Sequence, residues 1–243
     1  MVYFISDAHL GSLLVKDPRT HEKKLVDWLD KIKVDATTIY LVGDMFDFWF
    51  EYKTVVPKGF VRFLGKLAEL TDSGIEIHFF IGNHDIWTFG YLEKEVGLIV
   101  HKKPYTVQIG TKKFYIAHGD GISDADHGFK FIKKIFHSNF AQTLFNLIPA
   151  RLGQGLGYSW SKNNRIKHQD YDNKYLGEDK EDLVLFAKRY FETSDVDFMI
   201  FGHRHIVLNL QLKNQKRIVI LGDFVEAFTY GTFDGENFSL DYF

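Results

Sequence analysis

Five short polar clusters lie along this chain, each directly after an apolar run. They are Asp7-Ala8-His9, Gly43-Asp44, Gly82-Asn83-His84-Asp85, His118-Gly119-Asp120 and Gly202-His203-Arg204-His205. Short apolar runs bounded by turn-forming residues predict buried strands, so each cluster is expected at the end of a strand. The recurrence constrains the fold strongly, because it requires several buried strands that all end in polar loops.

The first part of the chain alternates predicted strands and helices. Apolar runs predict strands at Val2–Ile5, Thr38–Val42 and Ile75–Ile81, and helical spacing of apolar residues predicts helices at His21–Ile32 and Gly59–Leu70. This order predicts parallel strands, whose C-terminal ends lie at one edge of the sheet, where ligand sites of open α/β sheets form. The first three clusters are therefore expected to converge.

The remainder predicts more sheet around one helical insertion. A hairpin is expected between Tyr105–Ile109 and Lys113–Ala117. The later predicted elements are a helix at Glu181–Glu192, strands at Phe198–Phe201, Val207–Leu212 and Arg217–Leu221, and a hairpin of Phe228–Phe233 and Phe238–Phe243. The expected fold class is α/β, with one domain over residues 1–243 and a mainly helical cap inserted at residues 122–170.

The clusters supply nitrogen and oxygen ligands for metal ions. Because the chain contains no cysteine, a metal has to be held by imidazole, carboxylate and amide groups. Asp7 and His9 alternate at a strand end and so point the same way, and a carboxylate such as Asp44 can bridge two ions. The candidate ligands are Asp7, His9, Asp44, Asn83, His118, His203 and His205. Such a mixed set suits manganese, iron or zinc.

Each cluster alone is more often a turn or a cap than a ligand set, but all five in this order favour a dinuclear hydrolytic centre. The chain resembles the calcineurin-like metallophosphoesterase superfamily, whose motifs D-x-H, G-D, G-N-H-D/E, G-H and G-H-x-H match the five clusters. The resemblance implies a four-layer α/β/β/α sandwich. It also implies one ion bound by Asp7, His9, Asp44 and His205, and another bound by Asp44, Asn83, His118 and His203.

Within the superfamily, the chain resembles the UDP-2,3-diacylglucosamine pyrophosphatases of the lipid A pathway. The matching segments are Phe4–Leu10, Leu41–Asp47, His118–Asp120 and Gln142–Phe145, together with a basic cap. The resemblance implies cleavage of the nucleotide-sugar lipid to UMP and 2,3-diacylglucosamine 1-phosphate with two divalent ions, manganese being expected and iron or zinc the alternatives. The implied substrate contacts are Asn83, His84, Asp126, Ser161, Lys162, Arg165, Lys167 and His203.

His84 and Asp85 are the expected catalytic residues. The best-known branch of that family has arginine where this chain has His84. Pyrophosphate cleavage expels a phosphate monoester, whose second pKa is about 6, so a cationic His84 or an arginine can stabilise the leaving charge. An alkoxide leaving group would instead need His84 as a general acid. Asp85 is interpreted either as orienting the His84 imidazole or as capping a turn.

The predicted cap is both basic and apolar. Residues 129–168 contain seven Lys or Arg and no Asp or Glu, whereas the whole chain has a formal net charge of −2. The segment is also rich in Phe and Leu, and such aromatic residues can simply pack inward as core. That alternative does not explain the absence of acids. A lid that accepts phosphates and acyl chains, and that contacts anionic lipid, explains both properties.

The expected location is the cytoplasm, peripherally at the inner membrane. The apolar residues at Met1–Ile5 are too few for a signal peptide, and no apolar run approaches the roughly 18 residues of a membrane span. The expected partners are the nucleotide-sugar lipid and the cytoplasmic membrane surface, without nucleic acid, and the oligomeric state stays open.

Two other functions are kept as alternatives. The first is a metallophosphoesterase that acts on a soluble nucleotide or phosphodiester. The apolar residues of the predicted cap disfavour this alternative. The second is a non-catalytic scaffold on the same fold, which the complete set of ligands disfavours.

Overall fold

The computed structural model describes residues 1–122, 133–172 and 174–243. The strands, in chain order, are β1 (Val2–Ile5), β2 (Thr38–Leu41), β3 (Glu76–Phe80), β4 (Ile99–His101), β5 (Tyr105–Ile109), β6 (Lys112–Ile116), β7 (Phe198–Phe201), β8 (Val207–Gln211), β9 (Arg217–Leu221), β10 (Thr229–Phe233) and β11 (Phe238–Tyr242). The helices are α1 (Pro18–Ile32), α2 (Val61–Asp72), α3 (Tyr91–Glu95), α4 (Asn139–Asn146), α5 (Ala150–Asp172) and α6 (Asp182–Thr193).

The strands form two sheets. The strand order is β11-β10-β1-β2-β3-β4 in the first and β5-β6-β7-β9-β8 in the second. Strands β1, β2 and β3 are parallel, as the alternation of strands and helices predicts, and β4 joins them in the same sense. Strand β10 pairs with β1 in the antiparallel sense. In the second sheet, β6, β7 and β9 are parallel. The strands that precede the polar clusters therefore end together within each sheet.

The two sheets lie face to face, with helices on both outer faces. Helices α1 and α2 pack on the first sheet through buried residues such as Trp28 and Phe63, and α6 covers the second sheet through residues such as Val184. Between the sheets, the rings of Phe4 and Phe114 stack with their centroids 5.8 Å apart. This order of layers confirms the expected α/β/β/α sandwich.

Strand β7 shows why its sequence is apolar without interruption. Phe198 and Ile200 belong to the core between the two sheets, whereas Met199 and Phe201 belong to the core under α6. Since successive side chains of a strand point to opposite faces, a strand covered on both faces has to be apolar at every position.

Helix α1 begins three residues before the predicted start at His21. The Asp17 carboxylate accepts a hydrogen bond from the backbone N–H of Thr20 at 3.0 Å, and Pro18 occupies the first turn. A capping aspartate followed by proline is a helix-start signal that apolar periodicity does not register. The sequence also missed α3 and β4, which are too short for periodicity to reveal.

Helices α4 and α5 lie in the segment predicted to form a helical cap, and α5 ends at Asp172, two residues beyond the predicted boundary. The division into one domain with an inserted cap at residues 122–170 stays a prediction. Among the described residues, no helix has both the length and the apolar character needed to cross a lipid bilayer.

Candidate metal centre

The polar clusters meet where the strands of both sheets end. In the loops after β1 and β2, the backbone N–H of Asp7 donates to the carbonyl of Gly43 at 3.1 Å, and that of His9 donates to the carbonyl of Asp44 at 3.0 Å. The Asp7 carboxylate also accepts the backbone N–H of His203 at 2.9 Å, after β7. These bonds join loops from two sheets into one site.

Five of the candidate ligands adopt a left-handed backbone. The φ angles are 53° at Asp7, 44° at His9, 53° at Asp44, 69° at His203 and 46° at His205. Such a conformation is rare for residues with a side chain and costs on the order of 1–3 kcal/mol each, so it accumulates at functional sites. The cost is tolerated here because the sharp turns aim these side chains at one region.

One group of ligand atoms forms around Asp7, His9 and His205. The two Nε2 atoms of His9 and His205 lie 3.2 Å apart, and Asp7 Oδ1 lies 3.2 Å from His205 Nε2 and 3.7 Å from His9 Nε2. Ligands bound about 2.1 Å from one ion, at angles between square and tetrahedral, are separated by roughly 3.0–3.4 Å. The three side chains therefore have spacings close to those of ligands of a single ion.

A second group forms around Asp44, His118 and His203, whose ligand atoms all lie within 4.8 Å of one another. His118 Nε2 is 3.2 Å from Asp44 Oδ2, and His118 Nδ1 lies 2.9 Å from the carbonyl of Val42. A carbonyl only accepts, so Nδ1 carries the proton of the neutral ring and Nε2 presents its lone pair to the site.

Several buried polar atoms of the site lack a hydrogen-bond partner among the described residues. They include Asp7 Oδ1, Asn83 Oδ1 and His118 Nε2. An unsatisfied buried polar atom costs about 1–3 kcal/mol, and unpaired acceptors in the loops of this site are best satisfied by cations. The residues present therefore fit a pair of divalent metal ions.

The charges of the site also favour cations. Burial raises the pKa of Asp44, but the neighbouring His118 and His84 outweigh burial and hold that pKa below its ordinary value. Burial likewise raises the pKa of Asp7, and the contact with His205 outweighs it. Burial and the charge of His118 lower the pKa of His203 to about 4, which keeps its ring neutral. The carboxylates are therefore ionised, which is the state that binds metal. Neighbouring carboxylates outweigh burial and raise the pKa of His9 and of His118, so metal binding there has to displace protons from these rings.

His84 faces the same centre from the loop after β3. Its Nδ1 donates to the carbonyl of Asp47 at 2.9 Å, and its Nε2 lies 3.9 Å from Asp44 Oδ2. The ring contacts that of His9 edge-on, with centroids 4.9 Å apart. Burial lowers the pKa of His84. The Nε2 atom is thus the one that can meet a substrate oxygen.

Residues 1–207 of the chain match the family model of the calcineurin-like phosphoesterases. The chain belongs to the calcineurin-like phosphoesterase family. The fold of this family binds divalent metals, in agreement with the Asp and His groups of this phosphoesterase.

Several relatives of this phosphoesterase share one name. A protein named UDP-2,3-diacylglucosamine hydrolase in Porphyromonas gingivalis is 43% identical over 253 residues, covering 99% of this chain and 96% of the relative. A protein of the same name in Vibrio cholerae is 25% identical, covering 90% of this chain and 89% of the relative. Among solved structures, Yfce, a phosphoesterase from E. coli, is 13% identical with a TM-score of 0.47, covering 99% of this chain and 92% of that one.

Asp85 of the phosphoesterase caps backbone rather than orienting His84. Its carboxylate accepts the backbone N–H groups of Gly82 at 2.7 Å and Met45 at 2.8 Å, and those of Asp44 and Phe46 at 3.3 Å. The interpretation as the partner of the His84 imidazole is therefore wrong, because the carbonyl of Asp47 takes that place. Burial and the negative charge of Asp44 raise the pKa of Asp85 to about 7.

The predicted substrate contacts of the cap differ in position. Ser161 Oγ donates to Asp47 Oδ2 at 2.7 Å, and Arg165 Nη1 donates to Ser12 Oγ at 3.1 Å, so both residues lie where α5 meets the core. Lys162 is partly exposed and Lys167 is exposed. Asp126 lies outside the described residues.

Asp47 is a residue of the site that the sequence analysis missed. It is fully buried, and it contacts His9, His84, Ser161 and Arg165. A signal was present, because an acid in the apolar run from Met45 to Phe50 has to be buried with its partners if that run is core.

Proposed function

We propose that this phosphoesterase hydrolyses the pyrophosphate of UDP-2,3-diacylglucosamine to UMP and 2,3-diacylglucosamine 1-phosphate. The observation that carries the proposal is the 43% identity to the hydrolase of that name, since it extends over 99% of this chain and therefore includes the cap. The convergence of six candidate ligands at the strand ends, namely Asp7, His9, Asp44, His118, His203 and His205, supports the same reaction class.

Each candidate ligand has a proposed place. Asp7, His9 and His205 would hold one ion and Asn83, His118 and His203 the other, with Asp44 between them. Bound divalent ions would supply Lewis acidity and activate water for attack on phosphorus. Gly43 and Gly82 precede Asp44 and Asn83 and let the two loops approach closely. The chain would thus provide a partly desolvated, anionic site for the metal ions, and the bound ions would in turn attract phosphate.

His84 is proposed to bind and orient a phosphate oxygen. Its proton at Nδ1 is held by the carbonyl of Asp47, so only Nε2 is free to meet substrate. An anionic phosphate next to the ring would favour a second proton at Nε2, which would then donate to the leaving oxygen. With a phosphate monoester as leaving group, this donation stabilises charge and full proton transfer is unnecessary.

We infer manganese as the native metal, with iron and zinc as alternatives. The proposed ligands are imidazole, carboxylate and amide groups, and a set without thiolate suits manganese or iron as well as zinc. Metal analysis of protein purified without chelators, followed by removal and return of each ion, tests the inference. Manganese should restore the highest activity.

The exposed face of the cap is proposed to contact lipid at the cytoplasmic surface of the inner membrane. Helices α4 and α5 and the turn between them expose large apolar side chains, including Phe140 at 75%, Leu147 at 74% and Leu152 at 60% of their full exposure. Arg151 is exposed on the same helix pair. Exposed apolar residues beside cations suit an anionic lipid surface, where the acyl chains of the substrate reside.

A direct assay tests the function. Purified protein is mixed with UDP-2,3-diacylglucosamine in detergent micelles and Mn²⁺, and UMP is quantified by chromatography. We expect Mn²⁺-dependent UMP release in the unaltered protein and its loss in His9→Ala, because His9 Nε2 is a candidate ligand. Full activity of His9→Ala would refute the ligand assignment. Hydrolysis of a soluble nucleotide diester without release of UMP from UDP-2,3-diacylglucosamine would refute the proposed identity of the substrate.

His84 favours one second candidate, a phosphodiesterase. Its Nε2 faces the centre, and an alkoxide leaving group needs such a general acid. The same assay with a 3′,5′-cyclic nucleotide, whose leaving group is an alkoxide, compares the two substrates directly. A kcat/KM for the diester above that for the lipid would favour the phosphodiesterase.

A further inference from the structure

Asp47 connects the cap to the centre of the molecule. Its side chain has no exposed surface. Its Oδ2 accepts the hydroxyl of Ser161 at 2.7 Å, and its Oδ1 lies 3.4 Å from Arg165 Nη1. Both partners belong to α5, whereas Asp47 lies three residues after Asp44 on the core loop that follows β2. One carboxylate therefore receives two polar contacts from α5.

The other side of Asp47 touches two imidazoles of the candidate metal centre. Its Oδ1 lies 3.4 Å from His9 Nδ1, on the ring edge opposite the Nε2 atom that approaches His205. Its backbone carbonyl accepts the Nδ1 proton of His84 at 2.9 Å. A carboxylate or carbonyl behind an imidazole sets which ring nitrogen carries the proton and how the ring is aimed. Asp47 occupies this position twice, with its carboxylate behind the candidate ligand His9 and its carbonyl behind His84.

The docked face of α5 has small residues that allow this contact. A Cβ at Gly157 would lie 2.3 Å from the ring of Phe48, and one at Gly153 would lie 2.2 Å from the hydroxyl of Tyr52. These glycines precede Ser161 and Arg165 at intervals of four residues, which places all of them on one side of the helix. The backbone of α5 therefore lies directly against the loop that begins at Asp44.

The charges explain why docking and metal binding should depend on each other. The carboxylate of Asp47 is surrounded by the hydroxyl of Ser161, the guanidinium of Arg165 and the imidazole of His9, which is the environment of a buried anion. A buried anion needs donors, and if α5 moved away Asp47 would lose Ser161 and Arg165. If Asp47 lost its charge, the guanidinium of Arg165 would face the metal site without compensation and would repel cations.

We propose that Asp47 is a positioning residue that couples the docking of α5 to the orientation of His9 and His84. The inference rests on the proposed function, since it requires a metal at that centre. Coupling between two binding events is reciprocal. Metal at the centre therefore stabilises the docked cap, and the docked cap raises the affinity for metal. An enzyme built in this way assembles its full site only when the lid is closed.

Hydrogen exchange of the full-length protein, without substrate, tests the coupling. Amide exchange in residues 154–167 of α5 is measured with and without Mn²⁺ in the unaltered protein, Asp47→Asn, Ser161→Ala and the control Asp27→Asn. Asp27 is an exposed acid on α1. Mn²⁺ affinity is measured in parallel by calorimetry.

We expect Mn²⁺ to slow exchange in α5 at least about fivefold in the unaltered protein and in Asp27→Asn. This effect should be lost in Asp47→Asn and Ser161→Ala, and Asp47→Asn should bind Mn²⁺ about tenfold more weakly or worse. Ser161→Ala changes the cap alone, so it decides the matter if Asp47→Asn does not fold.

Three results would overturn the inference. An undiminished response of α5 to Mn²⁺ in Ser161→Ala, or in folded Asp47→Asn, would show that Asp47 transmits nothing. An unaltered protein that binds Mn²⁺ with unchanged exchange in α5 would remove the coupling and leave the metal centre intact. An unaltered protein that binds no Mn²⁺ would refute the proposed function together with the coupling.

Discussion

Asp44 belongs to the second group of candidate ligands, lies close to His9 of the first group, and is held from several sides. Its Oδ2 lies 3.2 Å from His118 Nε2, and its Oδ1 accepts the backbone N–H of His84 at 2.9 Å. Gly82 faces it so closely that a Cβ there would lie 2.0 Å from Asp44 Oδ1 and 2.7 Å from the backbone nitrogen of Asp44. A side chain at Gly82 would occupy the space that the carboxylate requires.

The substitution Gly82→Ala adds one methyl group and tests whether the Asp44 carboxylate needs the space beside Gly82. We expect Mn²⁺ affinity to fall about tenfold or more, as it does when groups that orient metal ligands are disturbed, because the Asp44 carboxylate has to rotate or shift. Calorimetric titration with Mn²⁺ measures the change. Gly65→Ala on α2 is the matched control, since a Cβ there has nothing within 4 Å. Equal affinities in the two variants would contradict this account of Asp44.

The sequence predicts the candidate ligands better than the residues that orient them. Asp7, His9 and Asp44 follow strands whose periodicity is visible, so their convergence follows from parallel pairing. The roles of Asp47 and Asp85 depend on which loop atoms come within hydrogen-bond distance after folding. The four backbone N–H groups around Asp85 belong to two loops about forty residues apart, and no local pattern encodes that meeting.

At the scale of elements, α5 is an unusual helix because glycines occupy both its docked side and another side. Gly157 lies against Phe48, with space for no further atom, whereas a Cβ at Gly155 would meet nothing within 4 Å. Glycine in a helix interior costs about 1 kcal/mol relative to alanine. At Gly157 that cost accompanies close docking of the helix on the core.

These two glycines form an internally matched pair. Gly157→Ala should weaken the docking of α5 by about 1–3 kcal/mol, because its methyl group would overlap the Phe48 ring. Amides of α5 should then exchange at least about fivefold faster. Gly155→Ala should leave exchange equal or slower, because it gains helix propensity alone. Hydrogen exchange of α5 measures both. Equally fast exchange in both variants would contradict the assignment of the Gly157 side of α5 as the side that packs on the core.

At the scale of the whole molecule, the candidate centre joins parts of the chain that are far apart in sequence. His9 and His205 are 196 residues apart, yet their Nε2 atoms lie 3.2 Å from each other. The alternation of strands and helices predicts the parallel part of the first sheet. It does not predict that β10 pairs with β1, because antiparallel partners distant in sequence leave no local signature. The expectation that a second sheet packs against the first comes instead from the family resemblance.

Metal removal should therefore weaken the whole fold. An ion that binds only the folded state adds about 2.7 kcal/mol at a concentration one hundred times its Kd, and each kcal/mol shifts Tm by roughly 2–4 °C for a chain of this size. We expect Mn²⁺ at that excess to raise Tm by roughly 5–10 °C over the chelated protein, measured by calorimetry.

His118→Ala should reduce this shift strongly, because His118 Nε2 is an unpaired buried acceptor in the second group of ligands. His137 is exposed and belongs to neither group of candidate ligands, so His137→Ala should keep the full shift. A Tm that does not respond to Mn²⁺ in the unaltered protein would mean that the two sheets meet without a metal between their strand ends.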